Sequence, residues 1–146
     1  MLQLFRALWE PGWTEVDGEF YKTPRLEMEP TPPRIPIYVG GLSDIALRRA
    51  ARNDGWIGDL ISTQQAIARV ETIRELRAEK GLSMDDFTVL TPLTDAFLPE
   101  HYERAEAAGI DGVITMPWMF YAGPEATLSE KIDGMKRFRK DLALDG

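Results

Sequence analysis

The sequence predicts an α/β fold in which strand and helix alternate four times after Pro36. Three observations carry that reading. Ile37-Tyr38-Val39 places three apolar β-formers in a row, the habit of strands covered on both faces in parallel sheets. Each short apolar run is then followed by a stretch of helical periodicity, and each crossover is long enough to bring the chain back parallel. Finally, 146 residues at 44% hydrophobic and 28% charged can sustain one domain with a core. Right-handed units of this kind build either an open doubly wound sheet or a barrel. The whole of 1–146 reads as one domain. A helix, a hairpin and a proline-rich strap occupy 1–35, and four strand–helix units occupy 36–146.

The elements follow in order. Leu2, Leu4, Phe5, Leu8 and Trp9 have roughly helical spacing, stopped by Pro11-Gly12. This short helix is apolar on one side and needs a surface to lie against. Asp17-Gly18 between Val16 and Phe20-Tyr21 is a hairpin signal. Four prolines between Pro30 and Pro36 keep the next segment extended, as a stiff lead-in to the first parallel strand.

Gly40-Gly41 then allows a sharp turn, and Ser43 can cap a helix. Ile45, Ala46 and Ala50 make its apolar face, with Leu47 and Ala51 beside it and Arg48, Arg49 and Arg52 on the solvated face. Trp56–Ile61 is the second strand. Ser62 and Gln65 have capping-box spacing. The helix they open buries Ala66, Ile67, Val70, Ile73 and Leu76, exposes Arg69, Glu71, Arg74, Glu75 and Arg77, and stops at Gly81. Thr88–Leu93 is the third strand, with pairing expected to end at Pro92. Pro99 opens a helix with Tyr102, Ala105 and Ala108 inward. Val113–Met116 is the fourth strand. The last helix starts near Ser129 and buries Leu128, Ile132, Met135, Phe138 and Leu142.

Composition narrows the function. A net charge of −7 argues against a nucleic-acid surface. The chain has no cysteine, hence neither disulfides nor thiolate chemistry. The lack of cysteine fits a cytoplasmic protein. The N-terminus lacks the pattern of a signal peptide. No apolar stretch approaches the roughly 20 residues that span a membrane. The single histidine, His101, stands between Glu100 and Glu103 and reads as surface. No catalytic dyad or metal cluster can be assembled, so the catalytic residues stay unknown.

In barrels and open sheets alike, ligands bind where parallel strands end. The residues there are Gly40, Gly41 and Ser43, then Gly58 and Asp59, then Thr94 and Asp95, then Pro117 and Trp118. The first set suits an anion such as phosphate, against a plain reading as ordinary turn chemistry. Trp118-Met119-Phe120-Tyr121 reads as core cover or a subunit contact ahead of a substrate contact.

Several stretches together resemble the luciferase-like monooxygenase superfamily, the flavin- or deazaflavin-dependent barrels related to bacterial luciferase. They are the helix ending in Leu8-Trp9, Gly18-Glu19-Phe20-Tyr21, Pro36–Gly41, Ala46–Arg52 and Asp54-Gly55-Trp56. The likeness is to the C-terminal part of those proteins. It implies a half-barrel of four parallel strands from a (β/α)8 fold, since an ordinary barrel takes about 250 residues. It further implies that Gly40, Gly41 and Ser43 hold the phosphate of FMN or of the deazaflavin coenzyme. Asp59 would stand on the other wall, where its charge repels phosphate unless it turns away or is protonated. The activity implied is that of an oxidoreductase or monooxygenase. The alternative is a non-catalytic half-barrel that associates with itself or with a partner. On this resemblance the chain is a fragment, a truncated product or a subunit supplying half a barrel. Two open edges and an exposed inner face then lead to the expectation of a homodimer or other self-association.

Overall fold

A computed structural model describes residues 1–142. The chain divides into two compact units, 1–36 and the remainder from Ile37 onward.

The first unit holds α1 (Leu2–Trp9), β1 (Thr14–Asp17) and β2 (Lys22–Leu26). Phe5 stacks on Trp9 with ring centroids 5.9 Å apart, one turn along α1. The hairpin is antiparallel, with Val16 opposite Thr23 and Asp17 opposite Lys22. Its connection is longer than Asp17-Gly18 suggests. The Gly18 amide donates to the Tyr21 carbonyl at 3.0 Å, so Phe20 and Tyr21 belong to the loop rather than to the second strand. Phe20 is 82% exposed there. Residues 27–36 have no regular structure, as four prolines require.

The second unit is a four-stranded parallel sheet in the order β3 (Tyr38–Gly40), β4 (Gly55–Ile57), β5 (Thr88–Thr91) and β6 (Gly112–Val113). The crossovers carry α2 (Asp44–Ala50), α3 (Thr63–Ala78) and α4 (Pro99–Ala107), and α5 (Leu128–Asp141) closes the described chain. The expected α/β class and four parallel strands are therefore present, consistent with part of a barrel.

Register divides the sheet into two rows. Val39, Trp56 and Val89 lie side by side, with Thr91 following, and all are buried. Leu47, Ala50 and Ala51 with Ala66, Val70 and Ile73 complete the core. In the other row stand Tyr38, Gly55 and Thr88, then Gly40, Ile57, Leu90 and Gly112. There Tyr38, Ile57, Thr88 and Leu90 are only half-buried. Gly55 is obligatory in this row, because a Cβ would meet the Tyr38 ring and the Thr88 carbonyl at 2.5 Å.

The local signals in the sequence act as read. Ser43 caps α2, and Ser62 with Gln65 forms a complete capping box on α3. The regular ladder of β5 stops at Thr91, one residue before Pro92, leaving one isolated bridge between Ile61 and Leu93. Four expectations change. In α2 it is Leu47 that is fully buried, whereas Ile45 is 69% exposed. The strands are shorter than their β-forming runs, β6 most of all. In α5, Phe138 and Leu142 are buried but Leu128, Ile132 and Met135 are exposed. Gly134 seats that helix on Trp118, which leaves the other apolar positions outside the contact.

Arg77 is the fourth change, because it is buried rather than on the solvated face of α3. Its guanidinium donates from Nε to the Ser83 carbonyl at 2.8 Å. It donates from Nη1 to Ala51 and Asn53 carbonyls at 3.1 and 3.3 Å. It also lies 4.5 Å over the Phe87 ring. Burial pulls its pKa down, opposed by the charges of Asp54 and Asp86. One side chain thus satisfies loop carbonyls that helix geometry leaves without donors.

Candidate ligand site at the strand ends

Parallel strands bring the loops after β3, β4, β5 and β6 to one end of the sheet. Of the sequence-predicted residues, Gly40, Gly41 and Ser43 form the turn from β3 into α2, and all three are exposed. Gly41 has φ +111°, and a Cβ there would stand 3.0 Å from that of Ala46. The positive φ requires glycine, and the contact leaves a side chain little room. Gly40 is free of such constraint, with nothing nearer than the Ile57 carbonyl at 3.8 Å.

The Ser43 hydroxyl oxygen accepts from the Ala46 amide at 3.3 Å, which leaves its own O–H to donate outward. Among the described residues, the amides of Leu42, Ser43, Asp44 and Ile45 find no acceptor in the protein. Backbone donors of this kind suit an anion. The exposed Asp44 carboxylate sits in the same turn and opposes one.

Sequence reading missed the residue that sets this turn. Trp56 is fully buried in the core row, yet its Nε1–H donates to the Gly41 carbonyl at 2.8 Å. A buried indole N–H needs a partner, and here the partner is the glycine turn itself. Gly58 continues the same packing, since a Cβ would lie 2.2 Å from Thr91 Oγ1 and 2.9 Å from the Trp56 ring. A buried Trp next to a loop is the only sequence signal available, and it does not name its acceptor.

Asp59 is exposed after β4. Its Oδ1 accepts from the Leu60 amide at 2.8 Å, so the carboxylate is folded back on its own backbone. Its carbonyl accepts from Thr91 Oγ1 at 3.2 Å. Asp95 serves the loop after β4 as well. Its Oδ1 accepts from the Thr63 amide at 2.8 Å and the Thr63 hydroxyl at 2.7 Å. The Thr63 hydrogen bonds hold this carboxyl below the usual range, with His101 adding to the effect. Thr94 donates its amide to the Ile61 carbonyl at 2.9 Å. His101 is half-buried near the start of α4, with Nδ1 accepting from the Phe97 and Leu98 amides at 3.0 and 3.3 Å. It caps a helix.

The aromatic loop after β6 packs on α5 and on Phe97 while Met119 and Phe120 stay partly exposed. Pro117–Phe120 forms a 3-10 turn. Phe120 packs on Phe138 with centroids 5.4 Å apart and on Phe97 at 5.7 Å. Tyr121 donates its hydroxyl to Asp141 at 3.0 Å.

A parallel β/α sheet with an open glycine turn at its strand ends is consistent with part of a β/α barrel. Sequence comparison then gives the lineage. The model of the luciferase-like monooxygenase family matches residues 1–108. The uncharacterized proteins Rv0940c of Mycobacterium tuberculosis and Mb0965c of Mycobacterium bovis are each 36% identical to it, over 97% of this chain and 50% of theirs. The crystal structure of DmoA from Hyphomicrobium sulfonivorans has the same fold, with TM-score 0.53 at 23% identity over 74% of this chain and 30% of that one. The chain belongs to the luciferase-like monooxygenase family. It spans about half the length of the curated relatives it matches. No helix among the described residues is long and apolar enough to cross a membrane.

Proposed function

We propose that this chain carries the cofactor-phosphate end of a flavin- or deazaflavin-dependent oxidoreductase of the monooxygenase type. The observation that supports it is the Gly40–Ser43 turn, in which Gly41 is held at positive φ and four amides lack acceptors. In a member of this family, FMN or the deazaflavin coenzyme is the phosphate-bearing ligand that such a turn fits. The amides of Leu42 to Ile45 and the Ser43 hydroxyl would hold the phosphate. When bound, the cofactor supplies the redox chemistry, and the protein supplies binding, orientation and exclusion of water. Trp56 keeps the turn in place. Asp59, bonded to Leu60, turns its charge toward its own backbone.

The half-buried row of Tyr38, Ile57 and Leu90 favours a second reading, a non-catalytic half-barrel that serves as a structural partner. Fluorescence titration with FMN and with the deazaflavin coenzyme separates the two. The cofactor reading expects binding of one of them. It also expects about tenfold weaker binding in Gly41→Val, the loss of roughly one charge-assisted hydrogen bond, with the melting temperature followed as control. No binding of either at high micromolar concentration overturns it and leaves the structural reading.

A further inference from the structure

We infer that His101 is a two-position, pH-dependent latch on the loop after β5. Neutral, its Nδ1 holds the Phe97 and Leu98 amides. Protonated, the ring leaves those amides and turns to the Asp95 carboxylate. Every contact involved lies among the described residues, and none belongs to the Gly40–Ser43 turn.

The loop, 92–98, is held firmly only in its first part. The Thr94 amide donates to the Ile61 carbonyl, and Asp95 Oδ1 takes the Thr63 amide and hydroxyl. The Tyr102 hydroxyl donates at 3.0 Å to the carbonyl of Ala96, which is buried. Beyond Ala96 the chain turns outward, with Phe97 59% and Leu98 50% exposed. Their amides both donate to His101 Nδ1, at 3.0 and 3.3 Å, and meet no other acceptor among the described residues. One ring lone pair therefore carries the end of the loop.

That lone pair exists only on a neutral ring. A nitrogen that accepts carries no proton, so the bonds demand the tautomer with hydrogen on Nε2. Imidazolium has two N–H donors and nothing to accept with. Protonation would set an N–H against two amide N–H groups, in the first turn of α4, where the helix dipole also disfavours a cation. A charged ring gains Asp95 instead. Its Oδ2 has no partner among the described residues, and His101 already helps to hold that carboxyl below the usual range.

The other helices show the contrast. At the same third position, α3 has Gln65 and α5 has Glu130. Neither of those side chains ordinarily changes charge between about pH 5 and 8, whereas histidine does. The charges beside His101 are Asp95 in the loop and Glu100, Glu103 and Arg104 on α4 itself. The first turn of α3, 63–67, and the aromatic loop, 116–122, bring none. From α5, which meets α4 where Phe138 touches Tyr102, the flanking cations are Arg137, turned to Asp141 and Tyr121, and Arg139. The Tyr102 and Tyr121 hydroxyls, pushed up by burial, stay neutral across that range, and Asp95 stays charged. Release would free the Phe97 ring from Phe120, 5.7 Å away, and part the loops after β5 and β6 at the strand ends.

Nuclear magnetic resonance on the purified chain is the test. At about pH 8 the imidazole should carry its proton on Nε2. From about pH 8 to about pH 5, the Phe97 and Leu98 amide signals should move with the ring titration. Their protection against solvent exchange should fall about tenfold, the scale of a lost hydrogen bond, while that of Ala66 in α3 holds. His101→Gln supplies the acceptor that Gln65 supplies in α3, without titrating. It should keep both amides protected throughout. His101→Ala should leave them unprotected throughout. A proton on Nδ1 at about pH 8 overturns the proposal, as do amides that ignore the ring titration. A folded His101→Gln chain that keeps the pH response also overturns it. Should that variant fail to fold, the ring and amide titrations of the unsubstituted chain decide.

Discussion

The two ends of the parallel sheet are built on opposite rules. At the end where strands begin, Arg77 is buried and its donors close the Ala51, Asn53 and Ser83 carbonyls. Phe87 covers the guanidinium, and the Asp54 carboxylate takes the Ile37 amide at 2.8 Å. Backbone polarity there is used up inside the protein. At the end where strands finish, the Leu42–Ile45 amides find no acceptor among the described residues, and the turn that carries them is exposed. The contrast fits the division in β/α barrels between a face that stabilises and a face that binds. It leaves backbone donors open to solvent at one end of the sheet and carbonyls closed by a side chain at the other.

The largest way to break the contrast is Arg77→Met. It removes donors from buried carbonyls, and should cost about 3 kcal/mol in urea unfolding. Arg48→Ala, on the exposed face of α2, should stay within about 0.5 kcal/mol. Equal effects would mean that the first end is not sealed as described. Gly58→Ala comes next. Its Cβ would stand 2.2 Å from Thr91 Oγ1, and forcing that contact apart should cost about 2 kcal/mol.

Trp56→Phe tests the end where strands finish without emptying the core. It keeps an aromatic ring but deletes the bond to the Gly41 carbonyl, so about 1 kcal/mol of stability should go. Faster amide exchange at Ala46 and Leu47, whose acceptors lie on Ser43, would show that the turn had loosened. Unchanged exchange would make Trp56 a packing residue only.

How much of this was legible in the sequence follows from range. Ser43, Ser62 and Gln65 act within three residues, and their roles were readable because a cap is a local device. Glycine at Gly41 was readable as a turn. Arg77 bonds 26 residues away to Ala51, Asp95 reaches 32 residues to Thr63, and Trp56 reaches 15 to Gly41. Each such partner is fixed only once the sheet has formed. The exposed Ile132 and Met135 of α5 misled for the opposite reason. Their helical spacing is real, but nothing among the described residues covers them fully.

Two smaller effects sharpen the comparison. Asp44→Asn and Asp59→Asn each remove a carboxylate from the end where strands finish, the proposed phosphate end. Either should tighten FMN about two- to fivefold, the scale of a charge near a helix terminus. Weaker binding would mean that the carboxylates hold the turn or touch the ligand. Asp95 carries a pH signature. Its folded pKa lies below the unfolded one, so its contribution is present above the unfolded value and lost as pH falls through the folded one. Acid unfolding below about pH 4 should therefore be less steep in Asp95→Asn. A profile identical to that of the unsubstituted protein would remove Asp95 as a contributor.

The most direct measurement is the ratio of riboflavin to FMN dissociation constants for the unsubstituted protein. The two ligands differ only in the phosphate. If the Gly40–Ser43 turn seats that group, FMN binds tighter by roughly tenfold or more, as charge-assisted hydrogen bonds to backbone amides require. A ratio of one would contradict the assignment of the strand-end turn as a phosphate site.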